Sequence, residues 1–401
     1  MNGGVVLFDL DMTLLNTSSL EKQRNTHDWS YVRNNLDLVQ SFKGLRIYPH
    51  DLPKLLKGEG YSVGVVTSSP KWYAETLLKK FQIPYDVLVS YGDTKNHKPE
   101  PDPLLLALDQ LNCSLDNAYH IGDKPEDMIA SYRAGIVPIG AGWGMNHCER
   151  QAYCAPDYLI YDSPLLSPRI FPFLGYILEQ LFSSTSRYHF HEGSFLSWWD
   201  NKLHFYALGR YFSKKDPRHA TSHLSLKLID LKENVVTPQL YAKGIKSFIE
   251  WKNLSITMVT CVPPKPNQFN RFAEILNQLE KFVSGDILFS LDGLVSNHQN
   301  KGYKNLRPSE REVAIRGAFS SRIKWKGTVL LIDDITTSGS TINESSKVLL
   351  SNGADHVIPL VFGKDQFCVS PLMVCPKCGR SMRVRVNPKN NSVFWLSLIH
   401  I

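Results

Sequence analysis

The amino-terminal part of the chain alternates short apolar runs with segments of helical spacing. The apolar runs are rich in β-branched residues and predict strands at Val5–Leu10, Tyr61–Ser69, Ala118–Asp123 and Gly135–Gly142. Helical spacing predicts helices at Lys71–Phe81 and Pro101–Leu111. Strands that alternate with helices form a parallel sheet, and the functional residues of such a sheet lie at the carboxyl ends of its strands. We therefore expect an α/β domain over residues 1–162.

A second α/β pattern follows a predicted linker at 163–195, whose residues 171–182 have helical spacing. Its clearest apolar runs predict strands at Ser255–Val262, Gly327–Asp334 and His356–Gly363. A helix is predicted at Asn343–Ala354, with Gly353 suited to its C-cap. The predicted fold class is thus α/β, with two doubly wound parallel-sheet domains at 1–162 and 196–368. A short tail of different composition occupies 369–401.

The composition is that of a soluble globular chain. Of 401 residues, 43% are hydrophobic and 21% are charged, which excludes a disordered, collagenous or disulfide-stapled protein. No run of 18 apolar residues occurs, so we expect no membrane-spanning helix. The first residues, MNGGVVLFDLDMT, lack the features of a signal peptide. Together with an odd number of cysteines, seven, this predicts a reducing compartment, the cytoplasm.

Charge is distributed unevenly along the chain. Residues 1–165 carry 15 Lys/Arg and 20 Asp/Glu, residues 166–374 carry 25 and 18, and residues 375–401 carry 5 and 0. An acidic front and a basic back indicate modules with different partners, although small domains also vary in charge by chance.

The first predicted strand ends in two carboxylates. Asp9 and Asp11 are two residues apart, so they project near the same face and repel each other unless a cation or phosphate chemistry occupies the site. A lone pair of this kind is commonly a solvated turn. Here, however, further polar residues follow later strands or open loops on the same predicted edge: Thr67, Lys98, Asp123 and Asp127.

These residues, in this order, resemble the four motifs of the haloacid dehalogenase superfamily over about residues 4–145. The resemblance implies a Rossmann-like phosphatase in which Asp9 attacks a phosphoryl group and Asp11 is the general acid and base. Thr67 would bind the phosphoryl oxygens, and Lys98 would offset the negative charge of nucleophile and phosphate. The segments in which this superfamily usually inserts a cap are short here, so we expect an open site for small phosphorylated metabolites or a bulkier phosphoester.

The same resemblance implies a Mg²⁺ cofactor, a hard cation that prefers oxygen ligands. Its ligands would be the Asp9 carboxylate, the Asp11 backbone carbonyl and Asp123, with Asp127 supporting the site.

A second group of candidate functional residues lies at Leu330–Ile342. There an apolar strand ends in two acids, and a loop of small hydroxyl residues follows around Gly339. Small residues let backbone N–H groups approach a phosphate, and the amino terminus of the following helix favours an anion. Paired acids before such a loop suit the hydroxyls of a ribose. The alternative is an ordinary strand-to-helix turn with capping residues.

The string resembles the phosphoribosyl pyrophosphate (PRPP) motif of type I phosphoribosyltransferases, and residues 250–365 resemble their ComF-like branch. The sequence departs from that branch at Ala314, where Asn is usual. The resemblance implies PRPP as a substrate, with the ribose hydroxyls at the two acids, directly or through Mg²⁺, and the pyrophosphate near Lys265. The implied PRPP-binding residues are Asp333, Asp334, Thr336, Thr337, Ser338, Gly339, Ser340, Thr341 and Lys265.

The tail resembles the first half of a topoisomerase-type zinc ribbon, with Cys375 and Cys378 as candidate Zn²⁺ ligands. Zinc normally takes four ligands, and the expected second pair does not follow Trp395, so we expect a truncated or shifted reading frame. Basic and aromatic groups in such ribbons bind single-stranded nucleic acid.

Two functional hypotheses follow. The first is a bifunctional enzyme of nucleotide-like metabolism that combines a Mg²⁺-dependent phosphatase with a PRPP-dependent transferase. The second is a nucleic-acid-associated phosphatase that processes ends, with the PRPP fold as a regulatory module. The first is favoured because the acids of both motifs are intact. The substrate, the acceptor base and the oligomeric state are left open.

Overall fold

The chain forms two compact units in a computed structural model. One comprises Met1–Leu174 with Val369–Ile401, and the other comprises Gly175–Cys368. The structure describes residues 4–113, 115–144, 154–160, 175–183, 190, 192–200, 203–233, 237–265, 268–297, 313–366, 383–386 and 393–396.

The first unit is built on a six-stranded sheet in which each neighbouring pair is parallel. The strand order is β3-β2-β1-β4-β5-β6, so β1 lies between two strands from later parts of the chain. Ligands bind where the strand order reverses in sheets of this kind. The strands are β1 (Val5–Phe8), β2 (Ser62–Val66), β3 (Val87–Val89), β4 (Ala118–Gly122), β5 (Val137–Ala141) and β6 (Tyr158–Ile160).

The central strand β1 is buried on both faces. Val6 and Phe8 belong to one hydrophobic cluster of the unit, and Val5 and Leu7 belong to another. Because side chains alternate along a strand, an uninterrupted apolar run suits a strand covered on both sides. The strand ends at Phe8, earlier than predicted.

Helices connect these strands at nearly the predicted positions. Three short α-helices lie in the segment between β1 and β2, and each connection from β2 to β5 contains one α-helix. Helix α4 buries Tyr73, Ala74, Leu77 and Leu78 on one stripe, as its spacing predicted. The helices are α1 (Glu21–Asn25), α2 (Trp29–Asn34), α3 (Leu52–Gly58), α4 (Lys71–Lys80), α5 (Asp102–Gln110) and α6 (Pro125–Ala134).

The second unit has a seven-stranded sheet of mixed direction. The order is β11-β10-β14-β15-β8-β7, with β9 also paired to β15. All its pairs are parallel except β7 with β8, which are antiparallel. Two residues separate β7 from β8, a distance that suits antiparallel pairing. The strands are β7 (Leu196–Asp200), β8 (Leu203–Ala207), β9 (Arg210–Tyr211), β10 (Met258–Cys261), β11 (Leu288–Phe289), β14 (Thr328–Thr336) and β15 (His356–Asp365).

The described part of the second unit also contains an antiparallel pair outside that sheet and five α-helices. The pair consists of β12 (Leu294–Ser296) and β13 (Phe319–Ser321). The amphipathic helices α9 and α10 bury Tyr241, Phe248 and Ile275 in the main cluster of the unit. The helices are α7 (Ile177–Phe182), α8 (His223–Lys232), α9 (Pro238–Trp251), α10 (Ala273–Phe282) and α11 (Ser340–Ser351).

The described part of the tail is two antiparallel strands, β16 (Arg383–Val386) and β17 (Val393–Leu396). The predicted zinc ligands Cys375 and Cys378 lie outside the described residues. Among the helices that the structure describes, none is long and apolar enough to cross a bilayer.

Gly64, in the middle of β2, provides a test of how closely the first sheet is packed. A β-carbon there would lie 2.5 Å from Leu7 Cδ2 and 2.9 Å from Val87 Cγ1. We expect Gly64→Ala to lower the free energy of unfolding by about 1–3 kcal/mol, because the core must shift to admit the methyl group. Urea denaturation measures the change.

Gly58 is the matched control, since a β-carbon at this position would meet no atom within 4 Å. Gly58→Ala should leave stability unchanged or slightly increased, because Ala favours the helix. Equal stability of the two variants would contradict the packing described here.

Candidate active site

Asp9 and Asp11 lie at the carboxyl end of β1, where the chain leaves the sheet. The Asp9 backbone N–H donates to the Ile121 carbonyl at 2.8 Å, which holds it beside the end of β4. Met12 has a φ of 59°, and its N–H donates to the Leu15 carbonyl at 2.8 Å. Both carboxylates are buried, with 6% and 5% of their surfaces exposed. This turn therefore places two acids in one sheltered region.

Lys98 connects two carboxylates from distant parts of the chain. Its Nζ lies 2.6 Å from Asp9 Oδ1 and 2.6 Å from Asp127 Oδ1, and it also donates to the Val66 carbonyl at 3.1 Å. The side chain is only 4% exposed. Burial opposes its charged form, but the charges of Asp127 and Asp9 outweigh burial and raise the pKa of Lys98. The ammonium group is therefore fixed between these acids.

Asp123 and Asp127 come from the end of β4 and the first turn of α6. Asp127 Oδ2 accepts from the Lys124 backbone N–H at 3.1 Å, which is a capping interaction at the start of the helix. The Thr13 hydroxyl donates to Asp123 Oδ1 at 3.3 Å. A β-carbon on Gly122 would lie 2.5 Å from the Asp127 side chain, so glycine is needed there for this close approach.

Asp9, Asp123 and Asp127 form a buried group of potential metal ligands. One carboxylate oxygen of each lies within 4.8 Å of the others. Burial raises the pKa of Asp9 to about 6, assisted by neighbouring carboxylates and opposed by Lys98. Burial, followed by the charge of Asp9, also holds the pKa of Asp123 well above its usual range. Three acids facing the Lys98 charge leave an excess of negative charge, and hard oxygen donors of this kind fit Mg²⁺.

Asp11 has different surroundings. Arg24 Nη1 lies 2.9 Å from its Oδ2, the Ser69 hydroxyl donates to the same oxygen at 2.6 Å, and the Tyr73 hydroxyl donates to Oδ1 at 2.7 Å. The Asp11 charge also raises the pKa of the Arg24 guanidinium, against the effect of burial. Three donors thus fix the orientation of this carboxylate.

These three donors were missed at the level of sequence. Ser69 follows the predicted motif residue Thr67 by two positions, and Tyr73 lies in the first turn of α4, so proximity to the motif could have indicated both. Arg24 lies in a polar segment whose pattern carries no such signal. Thr67 itself is buried after β2, and its hydroxyl accepts from the Ser69 N–H at 3.1 Å.

A cleft of about 510 Å³ opens onto these groups. Asp9, Asp11, Lys98 and the Asp123–Asp127 segment line this cleft. Its wall also includes side chains from the segment between β1 and β2: Glu21, Arg24, Asn25, His27 and Trp29. This volume is within the range of about 300–1,000 Å³ that is usual for small-molecule sites.

The second unit contains a separate pair of buried acids. Asp333 and Asp334 lie within β14, which continues to Thr336 because Ile335 and Thr336 still pair with β15. Arg271 Nη2 lies 3.2 Å from Asp334 Oδ2, and Lys232 Nζ lies 3.8 Å from it. Burial and the charge of Asp334 raise the pKa of Asp333 to about 8, with Arg271 opposing.

The segment after these acids turns tightly into α11. Gly339 has a φ of 80° at the position before the helix, a conformation that favours glycine. The hydroxyls of Ser338 and Ser340 lie 2.9 Å apart, and Lys364 Nζ donates to the Thr337 carbonyl at 2.7 Å. Burial lowers the pKa of Lys364 to about 8. Lys364 was not predicted as a site residue.

The remaining predicted residues of this second site fall on neighbouring elements. Thr341 is in the first turn of α11, and Lys265 follows β10, the strand that pairs with β14. The carboxyl ends of the parallel strands β10 and β14 lie at the same edge of the sheet. The acids, the loop and Lys265 therefore lie at that edge.

Comparison with known proteins places the first unit in a family. Residues 26–141 match the family described as haloacid dehalogenase-like hydrolase. A "Putative pyrophosphatase PpaX" from Caldanaerobacter subterraneus is 39% identical over 109 residues, which are 27% of this chain and 50% of that protein. A phosphoglycolate phosphatase from Salmonella paratyphi A is 34% identical over 125 residues, which are 30% of this chain and 49% of that protein.

A further relative, a protein with the same PpaX name from Clostridium perfringens, is 28% identical over 200 residues, 40% of this chain and 93% of its own length. The chain spans about half the length of the two relatives with higher identity. The amino-terminal unit is a haloacid dehalogenase-like hydrolase domain with a Rossmann-like parallel sheet, which confirms the family expected from its four motifs.

Lys98 allows a direct test of the charge balance in this unit. We expect Lys98→Met to lower the free energy of unfolding by about 3–5 kcal/mol in the absence of divalent cations, because it leaves buried carboxylates without a neutralising cation. Mg²⁺ should restore part of the loss by supplying positive charge. Urea denaturation with and without Mg²⁺ measures both effects.

Lys57, whose ion pair with Asp86 is about one-third exposed, is the matched control. Lys57→Met should change stability by no more than about 1 kcal/mol. If the two variants were equally stable, the Lys98 ion pairs would not be required to hold the acids together.

Proposed function

We propose that the first unit is a Mg²⁺-dependent phosphatase acting on phosphomonoesters through an aspartyl-phosphate. The observation that carries the proposal is the buried Asp9 carboxylate, held 2.6 Å from Lys98 in a cluster of acids at the floor of the cleft. The family match and the named activities of the relatives, a pyrophosphatase and phosphoglycolate phosphatases, support the same class of reaction.

In the first half of the reaction, a carboxylate oxygen of Asp9 attacks phosphorus and the bond to the leaving-group oxygen breaks. Asp11 donates its proton to that oxygen, so the leaving group departs as an alcohol. In the second half, Asp11 accepts a proton from water, the water oxygen attacks phosphorus, and inorganic phosphate is released with Asp9 regenerated. The net reaction consumes one water molecule.

The other residues act on charge and orientation. Lys98 offsets the negative charge that gathers on Asp9 and the phosphoryl group, an electrostatic contribution central to phosphoryl transfer. Thr67 is assigned to the phosphoryl oxygens, while Arg24, Ser69 and Tyr73 orient Asp11. Asp9, Asp123 and the Asp11 carbonyl would hold Mg²⁺, with Asp127 supporting. Mg²⁺ would stabilise negative charge on the phosphoryl group.

Two substitutions test the phosphatase. Asp9→Asn should abolish Mg²⁺-dependent phosphate release, and Asp11→Asn should reduce kcat by about 10²–10⁴-fold, the usual contribution of general acid–base catalysis. Phosphate release from a panel of phosphomonoesters, with Mg²⁺ or with a chelator, measures both.

Asp37 provides the control for charge, because its side chain is fully exposed and outside the cleft. Asp37→Asn should retain full activity. A wild-type protein that is inactive on the entire panel, or an Asp9→Asn protein that remains active, would overturn the assignment.

We further propose that the second unit binds PRPP and transfers its phosphoribosyl group. The buried pair Asp333–Asp334, followed by the tight loop before α11, supports this assignment. The acids would hold the ribose hydroxyls, and Thr336–Thr341 would hold the 5′-phosphate at the amino terminus of the helix. A nitrogen nucleophile would form the new bond at C1 as pyrophosphate leaves.

Calorimetric titration with PRPP and Mg²⁺ tests the binding step. Asp334→Asn should weaken PRPP binding at least about 10-fold, since hydrogen bonds to charged groups contribute about 1.5–3 kcal/mol. Asp286→Asn, in an exposed loop of the same unit, should bind as tightly as the wild type. Absence of PRPP binding by the wild-type protein would rule out the proposal.

A further inference from the structure

The wall of the phosphatase cleft contains an exposed aromatic ring that is anchored by a second ring. Tyr91 lines the cleft and is 50% exposed. It stacks on His97 with ring centroids 4.0 Å apart and an interplanar angle of 19°. A half-exposed ring in such a stack has one face covered and retains surface toward the cleft. The mechanism proposed above makes no use of this pair.

The backbone at both rings is tied to segments that carry the chemistry. The Tyr91 N–H donates to the Ser69 carbonyl at 3.1 Å, and the Ser69 hydroxyl contacts Asp11. His97 directly precedes Lys98, whose ammonium contacts Asp9. Because these anchors are the segments that hold the reacting groups, the stacked pair has a fixed position relative to them.

A second aromatic residue, Trp29, lines the same cleft from the segment between β1 and β2. Its ring meets Trp72 edge-on at 6.1 Å and Tyr73 at 5.9 Å, so it is also held by neighbours. Polar side chains accompany these rings along the wall, among them Glu21, Asn25 and Glu126. Rigid aromatic surface beside hydrogen-bonding groups suits a flat ring with polar edges better than a purely polar acid or sugar.

We propose that the cleft selects phosphomonoesters whose leaving group carries a planar, polar-edged ring, as in nucleoside 5′-monophosphates, and that Tyr91 is the stacking residue that determines this specificity. The proposal rests on the phosphatase function and refines its substrate class. The phosphoester bond is cleaved as described above, and the ring-bearing alcohol leaves with the proton from Asp11. Tyr91 touches the leaving group and takes no part in the chemistry.

Ribose 5-phosphate is the matched substrate, since it contains the same phosphoester without the ring. Wild-type kcat/KM should favour nucleoside 5′-monophosphates over ribose 5-phosphate by about 10-fold or more, the order expected for stacking on an aromatic side chain. Tyr91→Leu should bring the ratio near one, because it lowers kcat/KM for the nucleoside 5′-monophosphates more than for ribose 5-phosphate. Tyr91→Phe, which keeps the ring, should preserve the preference.

Tyr85, which is 38% exposed and outside the cleft, provides the control: Tyr85→Leu should preserve the wild-type ratio. Hydrolysis of both substrates without a preference would overturn the proposal and leave the phosphatase assignment intact. An equal loss on both substrates in Tyr91→Leu would show a structural role for Tyr91 and would also overturn it.

Binding to the Asp9→Asn protein separates this proposal from the function on which it rests. Calorimetry should show tighter binding of a nucleoside 5′-monophosphate than of ribose 5-phosphate, and Tyr91→Leu in the same background should remove the difference. If binding keeps this preference while the wild-type protein hydrolyses neither substrate, the ring site stands and the phosphatase assignment fails. Equal binding of both ligands contradicts the ring site.

Discussion

The arrangement of the first unit depends on holding several buried carboxylates around the ammonium group of Lys98. Asp9 and Asp127 each lie 2.6 Å from its Nζ, and Asp123 is close enough to share a ligand with them. Isolated buried charges are unfavourable, so this cluster exists only where the fold delivers acids and base together. A parallel sheet does so because its strands end at one edge, and the ends of β1 and β4 are neighbours there. The negative charge that remains after Lys98 is counted favours a cation at this edge.

Side chains from α1 and from the residues after β2 fix the orientation of Asp11 at this edge. Arg24 of α1 contacts Asp11, while Ser69, which follows β2, and Tyr73 of α4 donate to the same carboxylate. Asp9 therefore faces a lysine and further acids, and Asp11 faces donors. Two carboxylates only two residues apart thus acquire different environments, which is consistent with the distinct roles proposed for them.

The sequence predicted the parts of the site that follow from strand ends. Asp9, Asp123 and Asp127 could be grouped because apolar runs locate parallel strands and the ends of such strands meet. Lys98 follows no predicted strand and was grouped with them through the resemblance to the family motifs. Arg24 could not be found in this way, because the direction of its side chain depends on how a short polar segment folds back over the sheet. The same limit applies to the second unit, where the apolar run located β14 and its acids. Lys364 lies on β15, where it pairs with Thr336 and donates to the Thr337 carbonyl, so its place beside the loop depends on the pairing of two separate strands.

The two pairs of acids both lie near the carboxyl end of a strand with parallel neighbours, but they differ in the cations that face them. Lys98 contacts Asp9 at 2.6 Å and is almost fully buried, whereas Arg271 and Lys232 approach Asp334 at 3.2 and 3.8 Å with partly exposed side chains. The cations that face the second pair are therefore more distant and more exposed. Burial, followed by the charge of Asp334, raises the pKa of Asp333 to about 8. A ligand that brings its own divalent cation, as proposed for PRPP with Mg²⁺, would supply positive charge at these acids. Transfer to a ring nitrogen would yield a 5′-phosphate with a planar base, the class of substrate that suits the aromatic wall of the first site.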